Sequence, residues 1–305
     1  MNEKMIKKIL GLKHPISAIT PGVVVYCVRK NKMLFSYTKG IANIESTPLE
    51  IISNFRIASV TKQFTTVAIL QLVEKKKLSL ETTLAEVFPN FPSYGKEITI
   101  RHLLTHTLGL SDYETAGEKV FPRYKVTDED VLAFYMKPRK LSFSPGKKFS
   151  YNNGAFCLLA CVVSHISKMP FTAYMQKYIF HPAKMKATGF LNTKTRQRVI
   201  GFAYDTESGW HTSDQRRTSS THGDGGIYSS AKDLARWNDA LYKKKLLLGE
   251  KYLEMMTAPQ TKAESGYGHY GFGLYLSEIN GHRYQYHGGS SVGFQSALFY
   301  VPDND

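Results

Sequence analysis

Phe55-Arg56-Ile57-Ala58-Ser59-Val60-Thr61-Lys62-Gln63-Phe64 runs directly into Thr65-Thr66-Val67-Ala68-Ile69-Leu70-Gln71-Leu72-Val73. Read outward from Ser59, the stretch predicts a long helix from Val60 to Lys77 with little polar face in its middle. A helix that is apolar nearly all round is buried. The polar residues between Ser53 and Ser59 are expected to cap its start. Positions three apart share one helix face, so the Lys62 ammonium can reach the Ser59 hydroxyl. The start of a helix also offers unpaired backbone N–H groups and a positive dipole end, which favour a developing oxyanion. The same Ser-x-x-Lys spacing begins at Ser36, Ser93, Ser144 and Ser229. Only Ser59 opens a long apolar helix. Taken alone, the pattern more often marks a capping serine.

The surrounding chain sets bounds. Its 305 residues are 42% hydrophobic and 12% aromatic, enough to bury a sizeable core. The net charge of +15 is scattered, with runs only at Lys75-Lys76-Lys77 and Lys243-Lys244-Lys245. Both are expected at helix ends, where cations suit the dipole and stay solvated. No zinc-finger spacing or aromatic RNA-binding signature accompanies the charge, so nucleic acid is not an expected partner. Cys27, Cys157 and Cys161 form an odd set without framework spacing and read as reduced core thiols, with no metal site. Met1 to Lys13 carries four lysines and never more than two apolar residues in a row. A signal peptide needs roughly seven or more, and a membrane span about 18. A cytoplasmic protein without a transmembrane segment or cofactor is expected.

Gly22 to Arg29 (GVVVYCVR) reads as a buried strand, Lys30-Asn31-Lys32 as a turn, and Met33 to Tyr37 as the returning strand. From Leu78 to about Ser213 short helices and loops are expected. Thr99 caps one helix, which Leu108-Gly109-Leu110 ends. Val126 to Asp130 opens another with acids in its first turn. Asn152 to Lys168 continues as a third. Strands return at Tyr270 to Ser277, at His282 to Tyr286 after the Asn280-Gly281 turn, and at Phe294 to Val301. Strand-rich ends around a helical middle predict an α/β (α+β) architecture. Its antiparallel sheet domain would come from residues 1–78 and 214–305, with an all-helical domain, 79–213, inserted.

Two further motifs join Ser59 and Lys62. Tyr151-Asn152-Asn153 follows the turn Phe143-Ser144-Pro145-Gly146. A tyrosine beside a lysine has its phenolate favoured by the positive charge, so Tyr151 can accept the serine proton and pass it to a leaving group. Asn153 offers an amide to the substrate or to the lysine. His287-Gly288-Gly289-Ser290 follows a predicted strand. Its glycines let a substrate lie close to the backbone, and the Ser290 N–H joins that of Ser59 as a two-donor oxyanion hole. Each motif alone has a bland reading, as a packed aromatic with a cap or a glycine turn. Their order and placement on helix start, loop and strand end are far more specific.

Together these residues, with His102-Leu103-Leu104-Thr105-His106-Thr107-Leu108-Gly109-Leu110, resemble the serine β-lactamase and penicillin-binding-protein superfamily. The similarity is nearest its branch of class C β-lactamases, D-stereospecific peptidases and esterases, and runs from about Pro21 to the last residue. The resemblance implies a five-stranded antiparallel sheet flanked by helices, an all-helical domain, and a site between them. There Ser59 is acylated, Lys62 and Tyr151 move protons, and Asn153 contacts substrate.

Two departures refine this expectation. The third motif in true β-lactamases usually begins with lysine and threonine, which bind a substrate carboxylate. Here they are His287 and Gly288, so an esterase or D-peptidase acting on a small ester, amide or peptide is expected over efficient β-lactam hydrolysis. The family also continues past Val301 with a strand, set between the N-terminal strand and the one before it, and a C-terminal helix. Both are missing here, which predicts a fragment or shortened variant with unpartnered strand edges and reduced stability. The basic surface and that ending leave a non-catalytic binding or assembly protein on the same fold as the alternative. His102 and His106, four apart, have a zinc-like spacing without a glutamate in the required place or a third ligand, and read as structural.

Overall fold

The computed structural model describes residues 16–30, 32–117, 120–121, 125–191 and 197–304. The basic Met1–Lys13 segment and Asn31 of the expected turn lie outside these. The predicted long helix is α1, Thr61–Glu74, and every residue from Thr61 to Leu72 is buried, including Lys62, Gln63, Thr65, Thr66 and Gln71. Its β-branched residues each cost a few tenths of a kcal/mol of helix propensity. Full burial of Phe64, Val67, Ile69, Leu70 and Leu72 returns about 1.5–3 kcal/mol apiece, so packing decides. Trp237 stacks on Phe64 at 3.8 Å between ring centroids. The expected polar cap is not used. The helix grows instead out of a 3₁₀ turn, Ala58–Val60, with no side-chain cap.

The helices that follow are α2 (Leu84–Val87), α3 (Ile100–Leu104), α4 (Asp128–Tyr135), α5 (Asn153–Ser167), α6 (Phe171–Met175), α7 (Ala231–Asn238) and α8 (Glu250–Thr257). Thr99 caps α3 with His102 completing a reciprocal box, Thr127 caps α4, and Asn152 caps α5 by accepting from the Ala155 N–H. Helix α5 packs against α1 in the main core. The lysine runs are largely exposed after α1 and after α7. Among the described residues no single helix is long and apolar enough to cross a membrane.

The strands are β1 (Val23–Arg29), β2 (Lys32–Lys39), β3 (Phe55–Arg56), β4 (Gly189–Phe190), β5 (Phe202–Asp205), β6 (Gly209–Thr212), β7 (Ile227–Ser229), β8 (Thr261–Lys262), β9 (His269–Tyr270), β10 (Tyr275–Ile279), β11 (His282–Ser291) and β12 (Phe294–Tyr300). A five-stranded antiparallel sheet runs β12-β11-β10-β9-β8, beside a three-stranded β3-β7-β4 sheet and two hairpins. Asn280 and Gly281, both at positive φ, turn β10 into β11.

Four expectations need correction. The run Tyr270 to Ser277 is not one strand. Gly271 to Leu274 turns it back, so that Tyr275 pairs with Tyr270. At Gly273, φ is +71° and a Cβ would stand 2.2 Å from the Thr66 hydroxyl and 2.8 Å from the Lys62 carbonyl, so this turn presses on α1 itself. The Gly22–Arg29 strand is not buried. Among the described residues β1 pairs with β2 only and runs beside α7, and a Val-rich run reads the same whether one face or two are covered. For the same reason Cys27 is exposed rather than a core thiol, whereas Cys157 and Cys161 are buried. Finally, residues 189–212, expected as helix and loop, contribute β4 and the β5–β6 hairpin. The signal there was an Asx turn: Asp205 accepts from the N–H groups of Glu207 and Ser208.

Candidate active site

A cleft of about 600 Å³ opens between the Ser59 turn that leads into α1, the start of α5 and β11. Ser59, Tyr151, Asn153, His287, Gly288, Gly289 and Ser290 all line it. Ser59 sits in the 3₁₀ turn behind Ala58, whose φ of +46° is left-handed and costs an alanine about 1–2 kcal/mol. That bend sends the chain from β3 into α1 with the serine at the corner.

Lys62 lies one turn further on with no exposed surface. Its ammonium donates to Ser59 Oγ at 3.1 Å, to Asn153 Oδ1 at 2.8 Å and to the Asp224 carbonyl at 2.9 Å. These occupy its three N–H groups. The Nζ also lies 4.9 Å from the Tyr151 ring centroid. Burial lowers the Lys62 pKa. Negative charge on the Tyr151 oxygen and on the Asp224 carboxylate more than offsets this and holds it above the ordinary lysine value. Lys62 is therefore an ammonium in the resting site.

Asn153 has partners within the protein for its Oδ1 and for one of its two Nδ2 hydrogens. Beyond its bond to Lys62, its Nδ2 donates to Glu114 Oε2 at 3.0 Å and its backbone N–H to Asp112 Oδ2 at 2.7 Å. Its immediate role is to hold Lys62. Glu114 in turn is paired with Arg216. None of Asp112, Glu114, Arg216 and Asp224 was singled out by motif, and for the first three no sequence signal marks them. Asp224 sits in the tight run His222-Gly223-Asp224-Gly225-Gly226, which could have flagged a constrained loop.

The opposite wall is β11. At Gly289 a Cβ would stand 2.2 Å from the Ile57 carbonyl and 2.4 Å from Ser296 Oγ, so only glycine lets this strand close on the Ser59 turn. Gly288 is different, with no such contact nearer than 3.9 Å. Ser290 is exposed at the rim, and its hydroxyl accepts from Gln295 Nε2 at 3.0 Å. His287 is 2% exposed. Burial, then the nearby Lys62 charge, drives its pKa down to about 3. Tyr267, Tyr275 and Tyr286 continue the wall, with Tyr275 5.3 Å from each of the other two rings. Burial pushes Tyr286 up to about 12 and Tyr275 higher still, so both phenols stay neutral.

His102 and His106 do not come together as ligands. His102 caps α3, while His106 is buried under Tyr151, 4.3 Å between ring centroids. One group among the described residues is close enough to share an ion: Asp128, Cys157 and Asp224, with ligand atoms within 4.8 Å. Its chemistry fits a proton better. Both Asp128 oxygens already accept backbone N–H groups, from His222 at 2.9 Å and Gly223 at 3.1 Å. Burial, then the Asp224 charge, pushes Asp128 up to about 8, and burial holds the Cys157 thiol well above its usual value. A protonated Asp128 gives the otherwise unpartnered Asp224 Oδ1 an uncharged neighbour.

Comparison with known proteins places this architecture. The family model described as Beta-lactamase matches residues 12–305. Penicillin-binding protein 4* of Bacillus subtilis is 30% identical over 250 residues, covering 77% of this chain and 54% of that protein. D-aminopeptidase of Brucella anthropi is 26% identical over 287 residues, covering 93% and 54%. The chain thus spans about half the length of these curated relatives. The crystal structure of a penicillin binding protein from Bacillus halodurans superposes with a TM-score of 0.83 at 28% identity, over 100% of this chain and 92% of that one. With the antiparallel sheet, flanking helices and matched model, the chain belongs to the Beta-lactamase family.

Proposed function

We propose that the chain is a serine hydrolase that works through an acyl-enzyme on small, uncharged esters or amides. The observation that carries this reading is the 3.1 Å contact between Lys62 Nζ and Ser59 Oγ, with the ammonium fixed from behind by Asn153 and Asp224. Because Lys62 donates to Oγ, the serine's own hydrogen points elsewhere. Tyr151, whose ring centroid lies 4.9 Å from the same ammonium, is the acceptor this reading assigns.

In this scheme Tyr151 enters as the phenolate, and Ser59 Oγ bonds to the substrate carbonyl carbon while its proton moves to that phenolate oxygen. The adjacent ammonium offsets the negative charge that oxygen carries in this role. The backbone N–H groups of Ser59 and Ser290 receive the developing oxyanion. As the carbonyl re-forms, the leaving alkoxide or amine departs with the proton from Tyr151. Water then releases the acid by the same path in reverse.

The strand wall argues for esterase-like or D-peptidase-like chemistry over β-lactam hydrolysis. His287 is neutral and buried, and Gly288 has no side chain to offer a carboxylate. The relatives named penicillin-binding protein and D-aminopeptidase agree with an amide or peptide substrate. A fluorophosphonate probe followed by intact mass should add one label to the chain and none to Ser59→Ala. A panel of p-nitrophenyl esters, D-amino-acid amides and a chromogenic cephalosporin should then rank the cephalosporin last. Absence of a Ser59-dependent label, with ligand binding intact, would favour the non-catalytic binding reading.

A further inference from the structure

Behind the cleft lies a buried hydrogen-bond chain that the acyl-transfer scheme does not use. His106 Nδ1 accepts the backbone N–H of Asn152 at 3.1 Å. His106 Nε2 meets the Tyr270 hydroxyl at 3.1 Å, and that hydroxyl meets His287 Nε2 at 3.2 Å. His287 Nδ1 meets the Gly288 carbonyl at 2.6 Å. His106 and Tyr270 have no exposed surface, and His287 has 2%.

The two ends fix the direction of every bond between them. A backbone N–H only donates and a carbonyl only accepts. His106 therefore has its lone pair on Nδ1 and its hydrogen on Nε2, which donates to Tyr270. His287 has its hydrogen on Nδ1, which donates to Gly288, and its lone pair on Nε2. The single hydrogen of Tyr270 must fill that lone pair. Any second proton on His287 would oppose Tyr270's hydrogen and break the chain. Lys62 is the cation facing His287 among the described residues, and it too disfavours a positive charge on the ring. The other groups around the ring are the side chains of Tyr151 and Tyr275, at 6.2 and 5.3 Å between centroids.

We propose that Tyr270 is a specificity-determining positioning residue: by donating to His287 Nε2 it locks that imidazole as an uncharged acceptor, so the β11 wall selects acyl groups without a carboxylate. The inference rests on the Ser59 reading for its substrate consequence, while the lock itself is a property of the resting protein. It also ties the β11 wall to the ring of His106 on which Tyr151 lies, so one hydroxyl links the proton carrier to the opposite wall.

Histidine ¹⁵N spectra of the full chain test the lock without any turnover. The expected result is a hydrogen on Nε2 of His106 and on Nδ1 of His287, both rings neutral from pH 5 to 8. The opposite tautomer on either ring, or a charged His287 at neutral pH, overturns the proposal. In Tyr270→Phe the His287 Nε2 signal should lose its hydrogen-bond shift. Its midpoint should rise by about one pH unit, the size of one lost hydrogen bond. Unchanged His287 signals in a folded variant would also overturn it. For substrate choice, p-nitrophenyl butyrate is compared with p-nitrophenyl hemisuccinate. The neutral ester is expected to lead by about tenfold or more in kcat/KM, at a ratio that does not follow a midpoint near 6.5. A preference for the hemisuccinate overturns the specificity claim. Failure of the fluorophosphonate label would remove the hydrolase reading and leave the tautomer result standing.

Discussion

The helical wall of the cleft holds Lys62 as a buried ammonium gripped by three oxygens, whereas the strand wall holds His287, equally buried, as a neutral imidazole. Burial is nearly the same for both, at 0% and 2% exposure, so burial does not decide the charge. The partners do. Oxygen acceptors and the Asp224 carboxylate surround the lysine, while a hydroxyl donor and a competing cation face the histidine. The difference concentrates positive charge beside Ser59 and withholds it from the β11 wall.

The strongest way to break this contrast is to take the charge out of the helical wall. Lys62→Met should lower kcat/KM for an activated ester by about 10³-fold, the middle of the range for positioned proton-handling groups. It also leaves Asn153 Oδ1 and the Asp224 carbonyl without their donor. A loss below tenfold would mean the ammonium is a bystander. Pushing the walls apart comes next. Gly289→Ala places a methyl 2.2 Å from the Ile57 carbonyl. It should cost about 1–3 kcal/mol, read as a lower urea midpoint with unchanged slope.

A subtler effect concerns the base of the helical wall. Asp128 keeps its proton up to about 8 in the folded chain, while an unfolded carboxyl releases it near ~3.9. Between those values the folded state binds more protons, so this group makes stability fall as pH rises. Asp128→Asn should flatten that part of the pH–stability curve between about pH 4 and 8. A variant that follows the unmodified protein in parallel would show that Asp128 ionises normally. The smallest effect belongs to the surface hairpin. Met33, 61% exposed on β2, should tolerate lysine within about 0.5 kcal/mol, measured by the same denaturant titration.

Sequence reading reached α1 because ten of its 14 residues are apolar or threonine, and such a run has few alternatives. It reached the capped helices because Thr99, Thr127 and Asn152 act through local bonds. It missed what depends on distant contact. The break at Gly271–Leu274 exists because Gly273 meets α1 some 200 positions earlier in the chain. The exposure of β1 reflects which layers cover it, which a run of valines does not encode. At the site, the residues at motif spacing converge on one cleft. The supports around them, Glu114, Arg216, Asp224 and Tyr270, are scattered along the chain, and of these only Asp224, in its glycine run, carries a signal of its own. The fixed direction of the Tyr270 chain needed two backbone groups whose positions no sequence rule supplies.

The stacking of Trp237 on Phe64 gives the molecule an optical gauge. The chain has two tryptophans. Trp237 is fully enclosed against the helix that carries Lys62, while Trp210 is already 37% exposed on β6. On opening of that helix, Trp237 moves from hydrocarbon to water and Trp210 changes little, so the emission red-shift follows one place. Loosening around Ser59 and Lys62 can then be followed by light alone, with no label attached.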